Sequence, residues 1–172
     1  MALNADHHRT PAPCLIRQAR LDELARINTL VLRSKASWGY TDHQMARWRA
    51  DLHIDESAIL RGAVYVAELQ DVLVGMFVVE PSPDNPELTW QLAHFFVCPD
   101  YFGRRIGSAL FAYAVDLAHR HDVHAILIDA DPNAERFYWQ QGARRSGTVA
   151  APSDTDPARS RPQMVLSLIE IG

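Results

Sequence analysis

The segment 88–142 predicts a strand, a glycine-containing turn, a helix, a second strand and a second helix. The first four main-chain N–H groups of a helix have no partner within it, and the helix dipole adds partial positive charge there. Gly103 and Gly107 would let a bulky diphosphate approach the backbone, while Arg104 and Arg105 add positive charge. This pattern predicts a phosphate-binding turn, although an ordinary connection that needs glycine only to turn would also produce it.

Two familiar phosphate-binding motifs do not fit this turn. Gly103-Arg-Arg-Ile-Gly107 lacks the spacing of Gly-x-Gly-x-x-Gly, and no Gly-Lys-Ser/Thr follows, as a P-loop requires. A dinucleotide-dependent or ATP-dependent enzyme is therefore disfavoured.

The elements around the turn predict a mixed α/β domain in the order β-α-α-β-β-β-α-β-α-β-β. Apolar residues recur at helical spacing along the central helix, and Gln70-Asp71 separates two runs rich in β-branched and aromatic residues, as in a hairpin. Proline clusters indicate an entry segment and two long loops, the second holding Pro152, Pro157 and Pro162. The predicted strands are 14–19, 63–69, 72–79, 88–97, 125–128, 143–149 and 164–171, and the predicted helices 21–32, 41–52, 101–121 and 133–141.

Composition indicates one globular domain over residues 1–172, with 1–12 as a flexible N-terminal segment. The chain is 48% hydrophobic and 22% charged, within the range of ordinary globular proteins. A net charge of −4 disfavours nucleic-acid binding, and no apolar run approaches the ~20 residues of a membrane span. Two cysteines and no signal peptide favour a cytoplasmic location.

Two stretches resemble signatures of the GNAT superfamily of N-acetyltransferases. The stretch 95–110, Phe-Phe-Val-Cys-Pro-Asp-Tyr-Phe-Gly-Arg-Arg-Ile-Gly-Ser-Ala-Leu, looks like the acetyl-CoA-binding signature. The stretch 129–143, with Asn133, then Phe137-Tyr138, then Gly142, looks like the second. The opening 16–19 and the turn 37–40 also fit, and the order of the elements matches the family from about Ile16 to Ile169.

This resemblance implies a GNAT fold: a central mixed, mostly antiparallel sheet of about seven strands flanked by about four helices. Its fourth and fifth strands would splay apart and admit the pantetheine arm of acetyl-CoA. The family's pantetheine contacts fall on the fourth strand, its diphosphate contacts on the turn, and one asparagine lies near the cofactor arm. The corresponding residues are Phe95, Phe96, Val97, Phe102, Gly103, Arg104, Arg105, Ile106, Gly107, Ser108 and Asn133.

The turn departs from the family pattern at two positions. Phe102 stands where the family has Gln or Arg, and Arg105 stands at its first glycine. If φ at Arg105 is positive, the residue is strained by about 1–3 kcal/mol. We expect Gly103 and Gly107 to keep the turn open, while Arg104 or Arg105 supplies a cationic contact.

Tyr138 and His94 are the catalytic candidates. Tyr138 matches the family tyrosine that protonates the departing CoA sulfur, although a tyrosine beside Phe137 would also suit the core. His94 precedes the expected pantetheine contacts, and an imidazole suits proton transfer near pH 7 as a base or water relay. A half-buried histidine satisfied by a carbonyl is the competing interpretation. Glu80 and Glu87 are alternative candidates for the base.

Other polar residues carry weaker hypotheses. Trp38, Tyr40 and His43 would wall the acceptor pocket or simply pack between helices, and Arg159, Arg161 and 154–156 would contact the acceptor or be solvated. A metal site at His119, His121 and His124, and a covalent acetyl-enzyme on Cys98, are both disfavoured, because neither set has a partnering residue in the sequence.

The resemblance implies an N-acetyltransferase that moves the acetyl group of acetyl-CoA directly to a primary amine of a small molecule or peptide, without a metal. A catalytically inactive GNAT-fold sensor of CoA or acyl-CoA is the alternative, and a plain α/β interaction domain is a weaker third. The acceptor stays open, and the final strands could pair two subunits as a homodimer.

Overall fold

The computed structural model describes residues 14–153 and 156–169. Within them, seven strands form one sheet in the order β1-β2-β3-β4-β5-β7-β6, parallel between β4 and β5 and antiparallel elsewhere. The strands are β1 (Leu15–Gln18), β2 (Val64–Leu69), β3 (Val72–Pro81), β4 (Thr89–Val97), β5 (Ala125–Asp129), β6 (Arg144–Ala150) and β7 (Ser160–Ser167). The α-helices are α1 (Leu24–Ala36), α2 (Asp42–Leu52), α3 (Glu56–Leu60), α4 (Ile106–Arg120) and α5 (Glu135–Gln140).

Local signals explain several of these boundaries. Gln70 and Asp71 both have positive φ, at 50° and 64°, as the two central residues of a type I′ hairpin turn require. Thr41 caps α2 by accepting from the Gln44 main-chain N–H, and the Gln44 side chain accepts from the Thr41 N–H. The predicted hairpin and helix start are therefore confirmed. The five-residue helix α3 was not predicted, so the described residues hold five α-helices rather than about four.

The last strand begins earlier than the sequence predicts. It runs over Ser160–Ser167 instead of beginning at Met164, and it includes Pro162, which the sequence assigns to a loop. Pro162 is accommodated because its carbonyl accepts from Ala130 N–H while its missing N–H removes only one ladder bond. The predicted helix 133–141 is divided into a 3₁₀ turn at Pro132–Ala134 and α5. The segment 1–12, Asp154 and Thr155, and the predicted strand end at Ile171 lie outside the described residues.

Strands β4 and β5 diverge after a short parallel contact, which confirms the predicted splay. They pair only where Thr89–Gln91 faces Ala125–Leu127. Next along β4, the register against β3 slips, since Val78 faces His94 but Val79 faces Leu92, so Ala93 is an extra, bulged residue. A bulge bends its strand. The remainder of β4 therefore follows β3 while the end of β5 follows β7.

Helices cover both faces of the sheet. On one face, α4 and α5 build a core with Leu110, Phe111 and Tyr138. On the other, the helices α1 to α3 build a second core with Ile27 and Val31. The splay between β4 and β5 joins the two faces. No helix in the described ranges is long and apolar enough to cross a membrane.

Candidate active site

A cavity of about 730 Å³ lies at the splay between β4 and β5. Its walls come from β4, the start of α4, the end of β5, α5, α1, α2 and the β6–β7 hairpin. The predicted site residues in its lining are His94, Phe95, Phe96, Val97, Phe102, Gly103, Arg105, Ile106, Gly107, Ser108, Asn133 and Tyr138. Arg104 does not line it; its guanidinium lies over the Tyr101 ring, 5.1 Å from the centroid.

The outer edge of β4 is available where the strands part. Past Gln91, the described β4 residues pair only with β3, so main-chain groups of Ala93 to Val97 that point away from β3 face the cavity. The Phe95 ring points to the α4–α5 side, where its centroid lies 5.6 Å from that of Phe137. This edge can exchange hydrogen bonds with an extended ligand.

The turn before α4 presents its N–H groups at one end of the cavity. The hydrogen bond from Ala109 N–H to the Arg105 carbonyl starts the helix, which leaves the N–H groups of Ile106, Gly107 and Ser108 without i−4 acceptors. Arg105 adopts φ 61° and ψ 17°, the left-handed conformation. The conditional expectation of strain at this residue is thus met, and the site keeps arginine where glycine would relax the backbone.

The two glycines of the turn have different surroundings. A Cβ on Gly103 would meet nothing within 4 Å, but its φ of 73° favours glycine. A Cβ on Gly107 would lie 3.3 Å from the Phe137 ring, so this glycine lets α4 begin close to α5. Gly103 thus suits the backbone conformation of the turn and is not needed for space, whereas Gly107 allows α4 to pack closely on α5.

Tyr138 lies at the inner wall and belongs to the core as well as to the cavity. It is buried, with its ring centroid 5.9 Å from those of Phe95 and Phe111. Burial, together with the negative charge of Asp131, raises the pKa of Tyr138 well above its usual range. The hydroxyl therefore keeps its proton at neutral pH.

His94 enters the cavity just after the bulge at Ala93. Burial lowers the pKa of His94 below its ordinary value, outweighing the opposing charge of Glu80. The imidazole is therefore neutral near pH 7 and able to accept a proton. Glu80 forms an ion pair with Arg61 at 3.2 Å, and neither Glu80 nor Glu87 lines the cavity.

Four side chains from three elements meet at the α1 side of the cavity; we call them the Asp131 cluster. They are Lys35, Tyr40, Asp131 and Asn133. The Lys35 ammonium pairs with Asp131, Tyr40 donates to the same carboxylate at 2.8 Å, and Asn133 donates to it at 2.9 Å. Asp131, rather than Asn133, caps the short turn after β5.

Charge and burial act in opposite directions within this cluster. Burial lowers the pKa of Lys35, and the nearby cations Arg159 and Arg161 lower it further, against the effect of Asp131. Burial opposes the charge of Asp131, yet Lys35, Tyr40 and the Asn133 N–H hold its pKa below the ordinary value. The cluster thus contains a largely buried ion pair between Lys35 and Asp131.

Aromatic rings extend this wall. The Lys35 ammonium lies 5.1 Å and the Arg159 guanidinium 4.9 Å from the Trp48 ring centroid. Trp38 and Phe102, both exposed, have centroids 6.4 Å apart. His43 is exposed on α2 and does not line the cavity. Lys35, Trp48 and Asp131 were missed as site residues, because nothing local distinguishes them from ordinary helix and loop residues.

The weaker hypotheses involving metal and cysteine gain no support. Within the described residues, no three His, Cys, Asp or Glu side chains group as metal ligands, and His119, His121 and His124 are exposed. Cys98 is buried outside this cavity, with its Sγ 3.8 Å from an Arg33 nitrogen.

The family model described as "Acetyltransferase (GNAT) family" matches residues 24–143. That range includes both core faces, the splayed strands and the turn before α4, so the chain belongs to the GNAT acetyltransferase family. No curated protein matches the chain.

Several solved structures share the fold. The GCN5-related N-acetyltransferase from Rhodopseudomonas palustris is 21% identical with a TM-score of 0.74, over 93% of this chain and 99% of that one. The PaiA N-acetyltransferase from Thermoplasma acidophilum, solved with coenzyme A, is 14% identical with a TM-score of 0.69, over 90% and 99%. The yncA protein of Salmonella typhimurium, solved with its cofactor acetyl-CoA, is 20% identical with a TM-score of 0.69, over 93% and 96%.

Proposed function

We propose that this chain is an acetyl-CoA-dependent N-acetyltransferase that moves the acetyl group directly to a primary amine of a small molecule or peptide. The observation that carries this proposal is the opening between β4 and β5. It brings a free strand edge, the N-terminal turn of α4 and two complementary proton-transfer groups to one cavity.

The donor would lie along the splay. Main-chain groups of Phe95, Phe96 and Val97 would bind the pantetheine amides, and the N–H groups at the start of α4 would bind the diphosphate, helped by Arg105. Asn133 would approach the arm. Structural neighbours of this fold hold coenzyme A or acetyl-CoA, which supports the same donor here.

The reaction joins the acceptor nitrogen to the carbonyl carbon of the thioester and breaks the carbon–sulfur bond. The nitrogen loses a proton and the sulfur gains one, so the products are an N-acetyl amine and the CoA thiol. Because lysine-like amines have a pKa of about 10.4, a nearby base is needed at neutral pH.

His94 and Tyr138 suit these two proton transfers. The lowered pKa of His94 keeps it ready to take the amine proton, directly or through water. The raised pKa of Tyr138 keeps a proton ready for the sulfur. The opposite pKa shifts of the two residues in one cavity support a base role for His94 and an acid role for Tyr138.

Calorimetric titration with acetyl-CoA, run beside a free-thiol release assay over a panel of amines, tests the proposal. We expect binding and amine-dependent release of CoA. Tight binding without turnover of any amine would instead support the acyl-CoA sensor, an alternative that the unusual Phe102 and Arg105 favour. Absence of binding would overturn both.

A further inference from the structure

One buried polar atom in the cavity wall has no partner. The Nε of Arg161 is shielded from solvent and forms no hydrogen bond, the only such side-chain nitrogen or oxygen in the described ranges. Burying a guanidinium N–H without an acceptor is costly. The described part of the chain therefore supplies no acceptor for the Nε–H group of Arg161, and a bound ligand would have to provide one.

Neighbouring charges do not satisfy Arg161. Within the described residues it forms no ion pair with Asp51, Asp129 or Asp131, which all line the same cavity. Asp131 is engaged by Lys35, and Asp129 accepts from Gln163 at 3.2 Å. The third carboxylate, that of Asp51, belongs to an exposed residue of α2 and also forms no ion pair with Arg161.

The position of Arg161 relates it to the acceptor rather than to the donor. It lies on β7, beyond the last residue pair of β5 and β7, Asp129 with Gln163. Met164 of the same strand packs in the α4–α5 core, and because side chains alternate along a strand, Arg161 lies on the opposite face, the α1 side of the splay. The turn before α4, with Arg105, lies at the start of a helix on the other face.

We propose that the acceptor amine carries a carboxylate and that Arg161 binds this carboxylate, so that the substrate class is amino acids or closely similar amino carboxylates. This inference rests on the proposed function. The planar guanidinium matches a carboxylate with two parallel hydrogen bonds, and Nε is one of its donors. Trp48, stacked against Arg159, gives the acceptor an apolar wall.

The test compares matched ligands in the presence of CoA, so that binding is measured without turnover. Phenylalanine, methionine, glutamate and 4-aminobutyrate are titrated calorimetrically, each beside its own carboxamide. The dipeptide Ala-Phe distinguishes a free amino acid from a peptide carboxyl terminus, and O-phosphoethanolamine distinguishes a carboxylate from a phosphate. Initial rates of CoA release are then measured with acetyl-CoA and the same ligands.

The variant is Arg161→Met, which removes the unpartnered Nε, with Arg161→Lys to keep the charge without the planar fork. Arg120→Met is the matched control, about 20 Å along α4 from Ile106 and outside the cavity. We expect at least one acid of the panel to bind about 10- to 100-fold more tightly than its carboxamide. Arg161→Met should abolish this preference, Arg161→Lys should restore part of it, and CoA affinity should not change.

The outcomes separate the two proposals. Binding of an acid that depends on Arg161 supports a carboxylate site at Arg161 even if no amine is acetylated, in which case the proposed function fails and the bound acid is a ligand but not an acceptor. Three results would overturn the inference: acids and carboxamides bind or turn over equally, no acid binds, or the preference for the acid survives Arg161→Met. Turnover of neutral amines would still support the proposed function. Preference for O-phosphoethanolamine over every acid also overturns it.

Discussion

The Lys35 ammonium and the Asp131 carboxylate form an ion pair that joins α1 to the segment after β5, at the α1 side of the cavity. The two residues are 96 positions apart in the chain, and both side chains are 12% exposed. Since α1 packs on one face of the sheet and α5 on the other, this pair connects the helix layer on one face to the segment that leads into α5 on the other.

Removing one partner of this pair should lower the free energy of unfolding more than neutralising both partners. Lys35→Met leaves the largely buried Asp131 carboxylate with only Tyr40 and Asn133 as donors, so we expect the free energy of unfolding to fall by about 3 kcal/mol. Adding Asp131→Asn removes the unpaired charge and keeps a capping side chain, and should recover at least half of the loss. Urea denaturation measures both variants. Additive losses in the double variant would show that the pair is not coupled.

The substitution Tyr138→Phe tests the proposed role of Tyr138 as the general acid that protonates the CoA sulfur. The ring stays, so packing against Phe95 and Phe111 is retained, but the proton for the sulfur is lost. We expect kcat to fall about 100-fold, with the Kd for acetyl-CoA unchanged. Tyr113→Phe is the control, because Tyr113 packs against the same core but does not line the cavity. Undiminished turnover in Tyr138→Phe would refute the acid role.

The pH dependence of kcat tests the base. His94 must be neutral to accept a proton, and its pKa is lowered, so kcat should be constant near pH 7 and decline only as the pH falls below 6.5. The raised pKa of Tyr138 predicts no alkaline loss from that residue below about pH 10. His94→Gln should lower kcat about 100-fold and remove the acid decline. His119→Gln, at an exposed position, should keep the wild-type profile, and an acid decline that persisted in His94→Gln would exclude His94 as the base.

Arg105→Gly separates backbone strain from electrostatics. Glycine accepts a φ of 61° without strain, so we expect the free energy of unfolding to rise by about 1 kcal/mol. Loss of the cation should weaken acetyl-CoA binding about fivefold at low salt, with a smaller difference at high salt. Arg105→Lys should keep the binding and show no gain in stability. Equal affinity of Arg105→Gly and wild type across a salt series, measured by calorimetry, would eliminate the cationic contact.

Much of the fold could be predicted because its signals are local. The Gln70-Asp71 turn, the cap at Thr41 and the helix end at Gly142 each act within a few residues. Pro162 was misassigned because its tolerance within β7 depends on which groups the neighbouring strands present. The short α3 has too few residues for a periodic pattern.

Gly103 and Tyr138 lie within contiguous signatures, and both line the cavity, as the resemblance implies. The facing wall of the cavity is assembled from α1, α2, β5 and β7, and the pairing of its charged residues depends on neighbours that are distant in the chain. Lys35 resembles any helix lysine until Asp131 approaches it, and Arg161 resembles a solvated loop residue until burial leaves its Nε without a partner. The sequence by itself determined the family, the element order and the position of the turn before α4, because these depend on short-range spacing. The tertiary structure alone decided the left-handed backbone at Arg105, the opposite pKa shifts of His94 and Tyr138, and the unpartnered arginine, because dielectric environment and pairing arise from contacts between distant segments.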